Sequence, residues 1–458
     1  MARLQEAEPP RRFPVEAPGT LHRAIRGTSG DAIGTVVYSG GILRRLKMMH
    51  NRSAPPAGAA DRDQRLGVVV DYRFAARVGA IQPSPTVAVS DRVRELRQQG
   101  HDVMDLGGGD PDFPTPEHIC RAAADAMARG DTHYVASPGI IELRAAIARK
   151  LKSDNGIDVE PSQIVVTPGG KSALFSAVLS LVGPGDDVAM FDPGWVSYEP
   201  MATIAGAGTV RIPLDPANDY EVTREEIVLN LTPATRVLVV NTPNNPTGRV
   251  LSIGELEVIR DVAIERDLIV ISDEIYEKIV YDGYRHISPA SLPGMAERTL
   301  TCNGFSKAYA MTGWRLGYIA GPRPIIQQLL KIHSHSVTCA NSFAQYGATA
   351  ALDGPQGFID YMVEAWDRRR HLMASGLSAI RGVHCPLPEG AFYALAHVGG
   401  TGMTGQQVAK VLIDEARVGV TPGDAFGAVT ADHIRLSFAN SDQMIEQSLE
   451  RIQRALEG

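Results

Sequence analysis

Short apolar runs rich in β-branched residues alternate with helical segments over most of this sequence. The runs have the length of buried strands, and we expect six of them in the middle of the chain, at Ile164–Thr167, Asp187–Phe191, Thr235–Asn241, Leu268–Ser272, Leu300–Cys302 and Arg315–Ala320. Strands that alternate with helices are joined by right-handed crossovers, which place helices on both faces of a mainly parallel sheet. The pattern therefore predicts an α/β fold.

The same pattern divides the chain into four parts. The first 66 residues carry 11 Lys and Arg against 6 Asp and Glu, and Pro, Gly and Ser interrupt them at short intervals. Such a segment buries little apolar surface, so we expect a poorly ordered leader over residues 1–70. After it we expect an N-terminal arm that contributes to a small domain, a large domain that holds the sheet, and a small C-terminal α+β domain, with the bounds 71–106, 107–324 and 325–458.

Composition argues against several classes of protein. The formal net charge of −7 gives no general reason to expect a nucleic-acid partner. No apolar run approaches the roughly 18 residues that suggest a membrane span. The four cysteines lie far apart, with neither a CxxC pair nor a neighbouring histidine at metal-ligand spacing. We therefore predict no disulfide framework, no metal site, no membrane partner and a location in the reducing cytoplasm.

A lysine follows one of the predicted strands in a small, polar turn. Lys307 has Ser306 before it and Arg315 eight residues after it. A lysine at the carboxyl end of a strand can form an imine with a carbonyl cofactor. A serine and an arginine nearby suit a phosphate group. For a lone Ser-Lys pair, however, a surface lysine and a salt-bridged arginine in a loop remain the better interpretation.

An acidic residue closes another predicted strand. Asp273 follows the apolar run that begins at Leu268, so its carboxylate points toward the edge of the sheet. A buried carboxylate needs a cationic partner, and a protonated pyridine nitrogen is one. Tyr276, three residues later, could donate to an oxygen on the same ring. Taken alone, the motif is explained equally well by an Asp that caps the following helix.

Two further turns lie at strand ends. Asn245 is held between an Asn and a Pro in the segment NTPNNPTG, which on its own is a rigid turn. The segment TPGGKSAL contains Gly170 and Lys171 and joins a strand to a helix. Free backbone N–H groups at a helix start bind anions, although the spacing is not that of a Walker phosphate loop.

Together these segments resemble the fold-type-I pyridoxal-phosphate enzymes, and among them the class I/II aminotransferases of the aspartate and aspartate/prephenate branch. The resemblance runs from about Ala80 to the C-terminus, and the matching segments follow one another as GGDPDFPTPEH, PGIIELRAAI, TPGGKSAL, WVSYEP, NTPNNPTG, SDEIYE, SKAYAMTGWRLGY, PEGAFY and RLSFAN. It implies a pyridoxal 5′-phosphate cofactor and a large domain with a mainly parallel sheet flanked by helices, beside a smaller α+β domain.

The resemblance implies a role for each residue around the cofactor ring. Lys307 would be the Schiff-base lysine and the base that moves a proton between the substrate Cα and the cofactor C4′. Asp273 would pair with the pyridine nitrogen, and Trp195 would stack on the ring. Asn245 and Tyr276 would bond the phenolic oxygen of the cofactor.

The resemblance also implies a phosphate site that two subunits share. Ser306, Arg315 and the backbone amides of Gly170 and Lys171 would hold the phosphate. Tyr134 would reach the phosphate in the site of the neighbouring subunit. A homodimer with shared active sites follows from that role.

The substrate α-carboxylate would be gripped by Arg435 in a bidentate fork. Asn245, the backbone of Gly109 and the ring of Trp195 would complete the site for the bound amino acid.

Three residues bear on the substrate side chain. Lys171 stands where the aspartate branch binds the distal carboxylate, and Ser84 and Thr86 match a segment that closes over the substrate. A positive charge in a partly dry pocket favours aspartate, glutamate or prephenate over neutral amino acids. Alternatively, Lys171 points to solvent and the two hydroxyl residues only cap the next helix.

The activity that the resemblance implies is ping-pong transamination between an L-amino acid and a 2-oxo acid. The same cofactor residues would also serve a β-eliminating lyase, an oxidase or a biosynthetic transaminase for a neutral or basic amino acid. A transcriptional regulator that senses the cofactor is less favoured, because Gly and Pro interrupt every candidate DNA-binding helix in the leader.

Overall fold

The structure is a computed structural model that describes residues 72–458, so the leader predicted over residues 1–70 lies outside the described residues. The helices of this part are α1 (Ala76–Gly79), α2 (Pro85–Gln98), α3 (Glu117–Arg129), α4 (Ile141–Asn155), α5 (Gly170–Leu181), α6 (Tyr198–Ala205), α7 (Arg224–Asn230), α8 (Ile253–Glu265), α9 (Arg323–Ser336), α10 (Ser342–Asp353), α11 (Gly357–Ser378), α12 (Gly405–Val411) and α13 (Asp442–Glu457). Within the described range, none of these helices combines the length and the apolar character that a membrane crossing requires.

The strands of the described residues belong to three sheets. In chain order they are β1 (Met104–Asp105), β2 (Ile164–Thr167), β3 (Asp187–Asp192), β4 (Gly208–Pro213), β5 (Thr235–Asn241), β6 (Ile269–Asp273), β7 (Thr299–Gly304), β8 (Gly317–Ala320), β9 (Tyr393–His397), β10 (Val418–Gly419), β11 (Thr421–Pro422) and β12 (His433–Ser437).

The central sheet has seven strands in the order β2-β8-β7-β6-β5-β3-β4. Strand β8 is antiparallel to both of its neighbours, and the remaining pairs are parallel. The predicted fold class, a mainly parallel sheet flanked by helices with a smaller α+β part, is confirmed. The start predicted for the last of the six strands is wrong, because Arg315 has a left-handed backbone (φ 52°) and the strand begins at Gly317.

Two smaller sheets join segments that are far apart in the sequence. Strands β11, β12 and β9 form an antiparallel sheet, and β1 pairs in parallel with β10. The β1–β10 pair attaches residues just before Gly107 to the C-terminal part of the chain. An N-terminal arm that contributes to a small C-terminal domain requires such a contact, and the domain bounds themselves stay a prediction.

The parallel strands bring their carboxyl ends to one edge of the central sheet. Asn241, the last residue of β5, is in register with Asp273, and Asp273 is in register with Cys302 on β7. Strand β6 is buried on both faces, with Ile271 packed toward α5 and Val270 toward α8. Polar residues that follow these apolar strands therefore meet at one edge, where open α/β sheets bind their ligands.

A buried charged network fixes the segment that follows β6. Lys150 on α4 forms an ion pair with Glu277, and both side chains are less than 10% exposed. Asn155 donates to Glu277 (2.7 Å) and accepts from Lys150 (2.7 Å). Burial alone would raise the pKa of Glu277, but the ammonium of Lys150, together with His286 and the Asn155 hydrogen bond, holds that pKa below its usual value. The pair thus attaches α4 to the turn that carries Tyr276.

We expect Lys150→Met to lower the free energy of unfolding by about 3–5 kcal/mol, because it leaves the carboxylate of Glu277 buried without its cation. Lys152→Met is the matched control on the same helix, since Lys152 pairs with Asp158 at the surface. We expect the control to change stability by less than about 1 kcal/mol. Urea unfolding followed by circular dichroism measures both, and equal effects would contradict the assignment.

Candidate active site

A cavity of about 600 Å³ lies at the carboxyl edge of the central sheet. Its volume is in the range of sites that bind a small ligand or cofactor. Twelve of the residues singled out from the sequence line it, namely Thr86, Gly109, Gly170, Lys171, Trp195, Asn245, Asp273, Tyr276, Ser306, Lys307, Arg315 and Arg435. Residues spread over 350 positions of the chain are therefore brought together as the sequence motifs predicted.

Lys307 lies in the turn after β7 and is half buried. Its Nζ donates to the backbone oxygen of Gly109 and lies 5.7 Å from the ring centroid of Phe392. The lysine thus lies against an aromatic ring and carries a positive charge into the cavity. Its amine is available to a carbonyl group that enters the site.

Asp273 is buried at the end of β6, with 6% of its surface exposed. Its Oδ2 accepts a hydrogen bond of 2.8 Å from the hydroxyl of Tyr198. Burial raises the pKa of Asp273 to about 6, although the Tyr198 hydrogen bond acts in the opposite direction. Within residues 72–458 its side-chain hydrogen bonds come from Tyr198 and, at 3.4 Å, from the backbone of Ile275. A protonated ring nitrogen is a fitting partner for such a carboxylate.

Asn245 and Tyr276 lie beside Asp273 and are both nearly inaccessible to solvent. The backbone N–H of Asn245 donates to Asn241 Oδ1 (2.9 Å), and Asn241 Nδ2 donates to the backbone oxygen of Asp273 (2.9 Å). The hydroxyl of Tyr276 lies 2.9 Å from the hydroxyl of Tyr393. The ends of β5 and β6 are thereby locked to each other.

The start of α5 forms a cradle for an anion. Gly169 has a left-handed backbone (φ 82°), and a Cβ there would lie 2.7 Å from Arg315 Nη2. A Cβ on Gly317 would overlap the backbone of Gly170. Arg315 is held by a hydrogen bond from its Nη1 to the backbone oxygen of Thr312 (2.9 Å). Free N–H groups at the helix start and a guanidinium therefore face the same space, which suits a phosphate.

Lys171 is exposed at the mouth of the cavity, with its Nζ 4.8 Å from the ring centroid of Trp195. Its pKa is lowered, first by partial burial of the ammonium and then by the charges of Arg315 and Lys307. Three cations thus surround one small volume. Because like charges repel one another, this arrangement favours the entry of anions.

Arg435 on β12 is 2% exposed and lies between two aromatic rings. Its guanidinium carbon is 4.3 Å from the ring centroid of Tyr393 and 4.8 Å from that of Phe426. It donates to Asn245 Oδ1 (3.1 Å) and to the backbone oxygen of Gly107 (2.5 Å). Nε has no partner among the described residues. A buried guanidinium that has a free N–H and forms no ion pair with a carboxylate of residues 72–458 is suited to a ligand carboxylate.

The two residues predicted to close over the substrate occupy the start of α2. Thr86 lines the cavity, and Ser84 lies behind it with the two hydroxyl oxygens 3.0 Å apart. Ser84 occupies the N-cap position, but its side chain makes no cap hydrogen bond. Helix capping therefore does not explain the hydroxyl of Ser84.

Tyr134 is a predicted site residue that is exposed and lies outside the cavity. Its side chain is 86% exposed and takes no part in the lining of the cavity. In this structure its side chain therefore points to solvent rather than into the cavity of its own chain.

Sequence reasoning missed two tyrosines that line the cavity, Tyr198 and Tyr393. Both lie in segments that the sequence singled out, WVSYEP and PEGAFY. Their hydroxyl partners, Asp273 and Tyr276, come from other parts of the chain. Only the folded structure brings those pairs together.

The donor set of the cavity fits pyridoxal phosphate. The anion cradle at α5 suits the phosphate, Asp273 suits the ring nitrogen, and Lys307 is within the same cavity to meet the carbonyl. The free N–H of Arg435 leaves a separate place for the carboxylate of an amino acid. Each charged part of cofactor and substrate therefore has a complementary group.

Comparisons with known proteins agree with this geometry. Residues 101–452 match the family model for aminotransferase class I and II. The chain is 46% identical over 384 residues to the aspartate aminotransferase of Musicola paradisiaca, covering 83% of this chain and 96% of the relative. It is 40% identical over 365 residues to the aromatic-amino-acid aminotransferase 2 of Thermococcus litoralis, covering 79% and 94%.

A solved structure shows the same similarity. The aspartate aminotransferase of Thermus thermophilus with maleate is 41% identical, with a TM-score of 0.81, covering 84% of this chain and all of that chain. The predicted resemblance to the aspartate branch is confirmed. The chain belongs to the class I and II aminotransferases, enzymes that use pyridoxal phosphate to transfer an amino group between an amino acid and a 2-oxo acid.

Proposed function

We propose that this aminotransferase takes an acidic L-amino acid, aspartate above all, as amino donor and works by a ping-pong mechanism. The proposal rests on the four charged residues that share the cavity. Lys307, Asp273, Arg435 and Lys171 line one cavity, so the groups for chemistry and for two carboxylates lie within reach of one small molecule.

When bound, pyridoxal phosphate supplies a carbonyl that accepts the amino group and a ring that withdraws electrons from the substrate Cα. Lys307 moves a proton between that Cα and the cofactor C4′, which is general acid–base catalysis by a positioned amine. Asp273 holds a proton on the ring nitrogen, and this keeps the ring electron-poor. Tyr276 and Asn245 would bond the phenolic oxygen of the bound cofactor.

We expect Lys307→Ala to lower the steady rate of transamination by at least about 10³-fold, because no other amine in the cavity occupies its position. Lys331→Ala is the control, since Lys331 lies exposed on α9 and its one side-chain hydrogen bond within residues 72–458 is to Gln328. A coupled assay of oxo-acid formation measures both variants. Steady turnover by Lys307→Ala without added amines would contradict the proposed role.

The acidic substrate is proposed from the charges of the cavity. Arg435 is buried and suits the α-carboxylate, while Lys171 lines the same cavity beside Trp195. A second carboxylate between the cations reduces their mutual repulsion. The Thermus relative, solved with a dicarboxylate, is consistent with such a pocket. The aromatic-amino-acid relative shows that family membership alone does not fix the side chain that is accepted.

We expect the half-reaction of the cofactor-loaded enzyme to be fast with L-aspartate and L-glutamate and slow with L-phenylalanine, L-methionine and L-arginine. Lys171→Met should lower kcat/KM for the two acidic donors by about 10- to 100-fold and change the value for phenylalanine by less than threefold, because only the former lose a charged hydrogen bond. Stopped-flow absorbance of the cofactor measures each donor. A wild-type preference for a neutral or basic donor would contradict the acidic-substrate proposal.

We also propose that the enzyme is a homodimer in which Tyr134 contacts the phosphate of the neighbouring site. The extreme exposure of an aromatic side chain away from its own cavity supports this role. A cytoplasmic location is proposed as well, because the four cysteines are free and none is paired in a disulfide.

We expect sedimentation equilibrium to give twice the mass of one chain, and Tyr134→Phe to weaken cofactor binding by about 5- to 10-fold without changing that mass. The affinity follows from titration of the apoenzyme with pyridoxal phosphate. Tyr361→Phe is the control, because Tyr361 is also exposed, at 64%. A fully active monomer would contradict the shared site.

A further inference from the structure

Tyr393 contacts three parts of the active site. It begins strand β9 in the segment PEGAFY and is 3% exposed. Its hydroxyl lies 2.9 Å from that of Tyr276, and its ring centroid lies 4.3 Å from the guanidinium carbon of Arg435. A Cβ on Gly109 would overlap the same hydroxyl, so the backbone there lies directly against it.

The number of hydroxyl protons decides which of the two tyrosines, Tyr276 or Tyr393, donates in the hydrogen bond between them. Each tyrosine hydroxyl has one proton to donate. If Tyr276 donates its proton to the phenolic oxygen of the cofactor, its own oxygen can only accept. Both tyrosines are buried, so Tyr393 is the donor that the structure places there. A chain of two donors then points from Tyr393 through Tyr276 to the cofactor.

The strand that carries Tyr393 is held rigidly. Strand β9 pairs with β12, where Tyr393 is in register with Ser437 and lies diagonally across from Arg435. The ring of Phe392 packs beside that of Tyr393 with centroids 5.0 Å apart. A side chain on a paired strand in the core holds its partners to a narrow geometry, which catalytic constellations require.

We propose that Tyr393 is a positioning residue of this active site. Its hydroxyl donates to Tyr276 and strengthens the hydrogen bond from Tyr276 to the cofactor oxygen, while its ring supports the guanidinium of Arg435. One side chain thereby links the cofactor oxygen to the carboxylate-binding arginine. The inference rests on the proposed roles of Tyr276 and Arg435.

The cofactor itself reports on the hydrogen-bond chain. The visible absorption of the loaded enzyme changes at the pH where the nitrogen between Lys307 and the cofactor loses its proton. Donation from Tyr276 stabilises negative charge on the phenolic oxygen, so the nitrogen loses its proton at a lower pH. Removing the hydroxyl of Tyr393 weakens that donation and moves the transition to higher pH.

We expect Tyr276→Phe to raise the midpoint of the absorbance transition by about one to two pH units. Tyr393→Phe keeps the ring and should raise the midpoint by about 0.2 to 0.5 pH unit. The effect is smaller because the bond from Tyr393 only strengthens the bond from Tyr276 to the cofactor by a fraction of that bond's energy. In the Tyr276→Phe background, Tyr393→Phe should add nothing, because its effect passes through Tyr276.

Tyr281→Phe is the matched control. Tyr281 lies in the same core and donates to the backbone oxygen of Ala391 (2.6 Å), so the control also loses a buried hydrogen bond. Its midpoint should match that of the wild type. If the loss of a buried hydrogen bond acted only on stability, Tyr393→Phe and Tyr281→Phe would both lower the thermal stability and both keep the wild-type midpoint.

The ring is tested separately with Tyr393→Leu. Loss of the contact with Arg435 should raise KM for the amino donor by about tenfold, whereas Tyr393→Phe should change it by less than about twofold. Equal KM values for the Leu and Phe variants would refute the support of Arg435.

The outcomes separate this inference from the proposed function. An unchanged midpoint in Tyr276→Phe would overturn the proposed role of Tyr276, and the inference with it. A shift in Tyr276→Phe together with a wild-type midpoint in Tyr393→Phe would overturn the inference alone. A further shift in the double variant would show that Tyr393 acts by another route, and would also overturn it.

Discussion

The carboxylate of Asp273, buried at the end of a central strand, is the constraint on which the rest of the active site depends. An isolated carboxylate in such a place favours its neutral form, and burial raises its pKa to about 6. The hydrogen bond from Tyr198 counteracts this and fixes one carboxylate oxygen. A cofactor with a protonated ring nitrogen completes the pair. The unpaired carboxylate of Asp273 is therefore unfavourable in the folded protein, and the pyridine nitrogen of the bound cofactor pairs with it and stabilises it.

The other charges are arranged around that carboxylate by the strand ends. Lys307, Arg315 and Lys171 line the cavity with positive charge, and the buried Arg435 adds a fourth cation to its lining. Repulsion among these cations is reduced when phosphate and carboxylate groups enter. The same electrostatics therefore explains the affinity for an anionic cofactor and the proposed preference for a dicarboxylic amino acid.

Local patterns predicted most strands of the sheet and the strand-end residues such as Asp273, Asn245 and Lys307. The family resemblance supplied the cavity residues Arg435, Trp195, Gly109 and Thr86. Apolar runs mark strands such as Thr235–Asn241, and polar residues just after them must reach the edge of the sheet. Pairings between distant side chains leave no such local pattern, so the bonds from Tyr198 to Asp273 and between Tyr276 and Tyr393 were missed. Strand β4 was also missed, since it is a half-exposed edge strand that lacks a continuous apolar run.

The most direct test of this account is the affinity of the apoenzyme for pyridoxal phosphate between pH 5 and pH 8. The folded pKa of Asp273 is raised, so its carboxylate gains a proton as the pH falls through about 6 and can no longer pair with the ring nitrogen. We predict a loss of affinity there, and Tyr198→Phe should move that loss upward by about one pH unit because it removes a bond that lowers the pKa. The other ionisations of the cofactor are the same in both proteins. Superimposable pH profiles of the two proteins would contradict the central role of the Asp273 carboxylate.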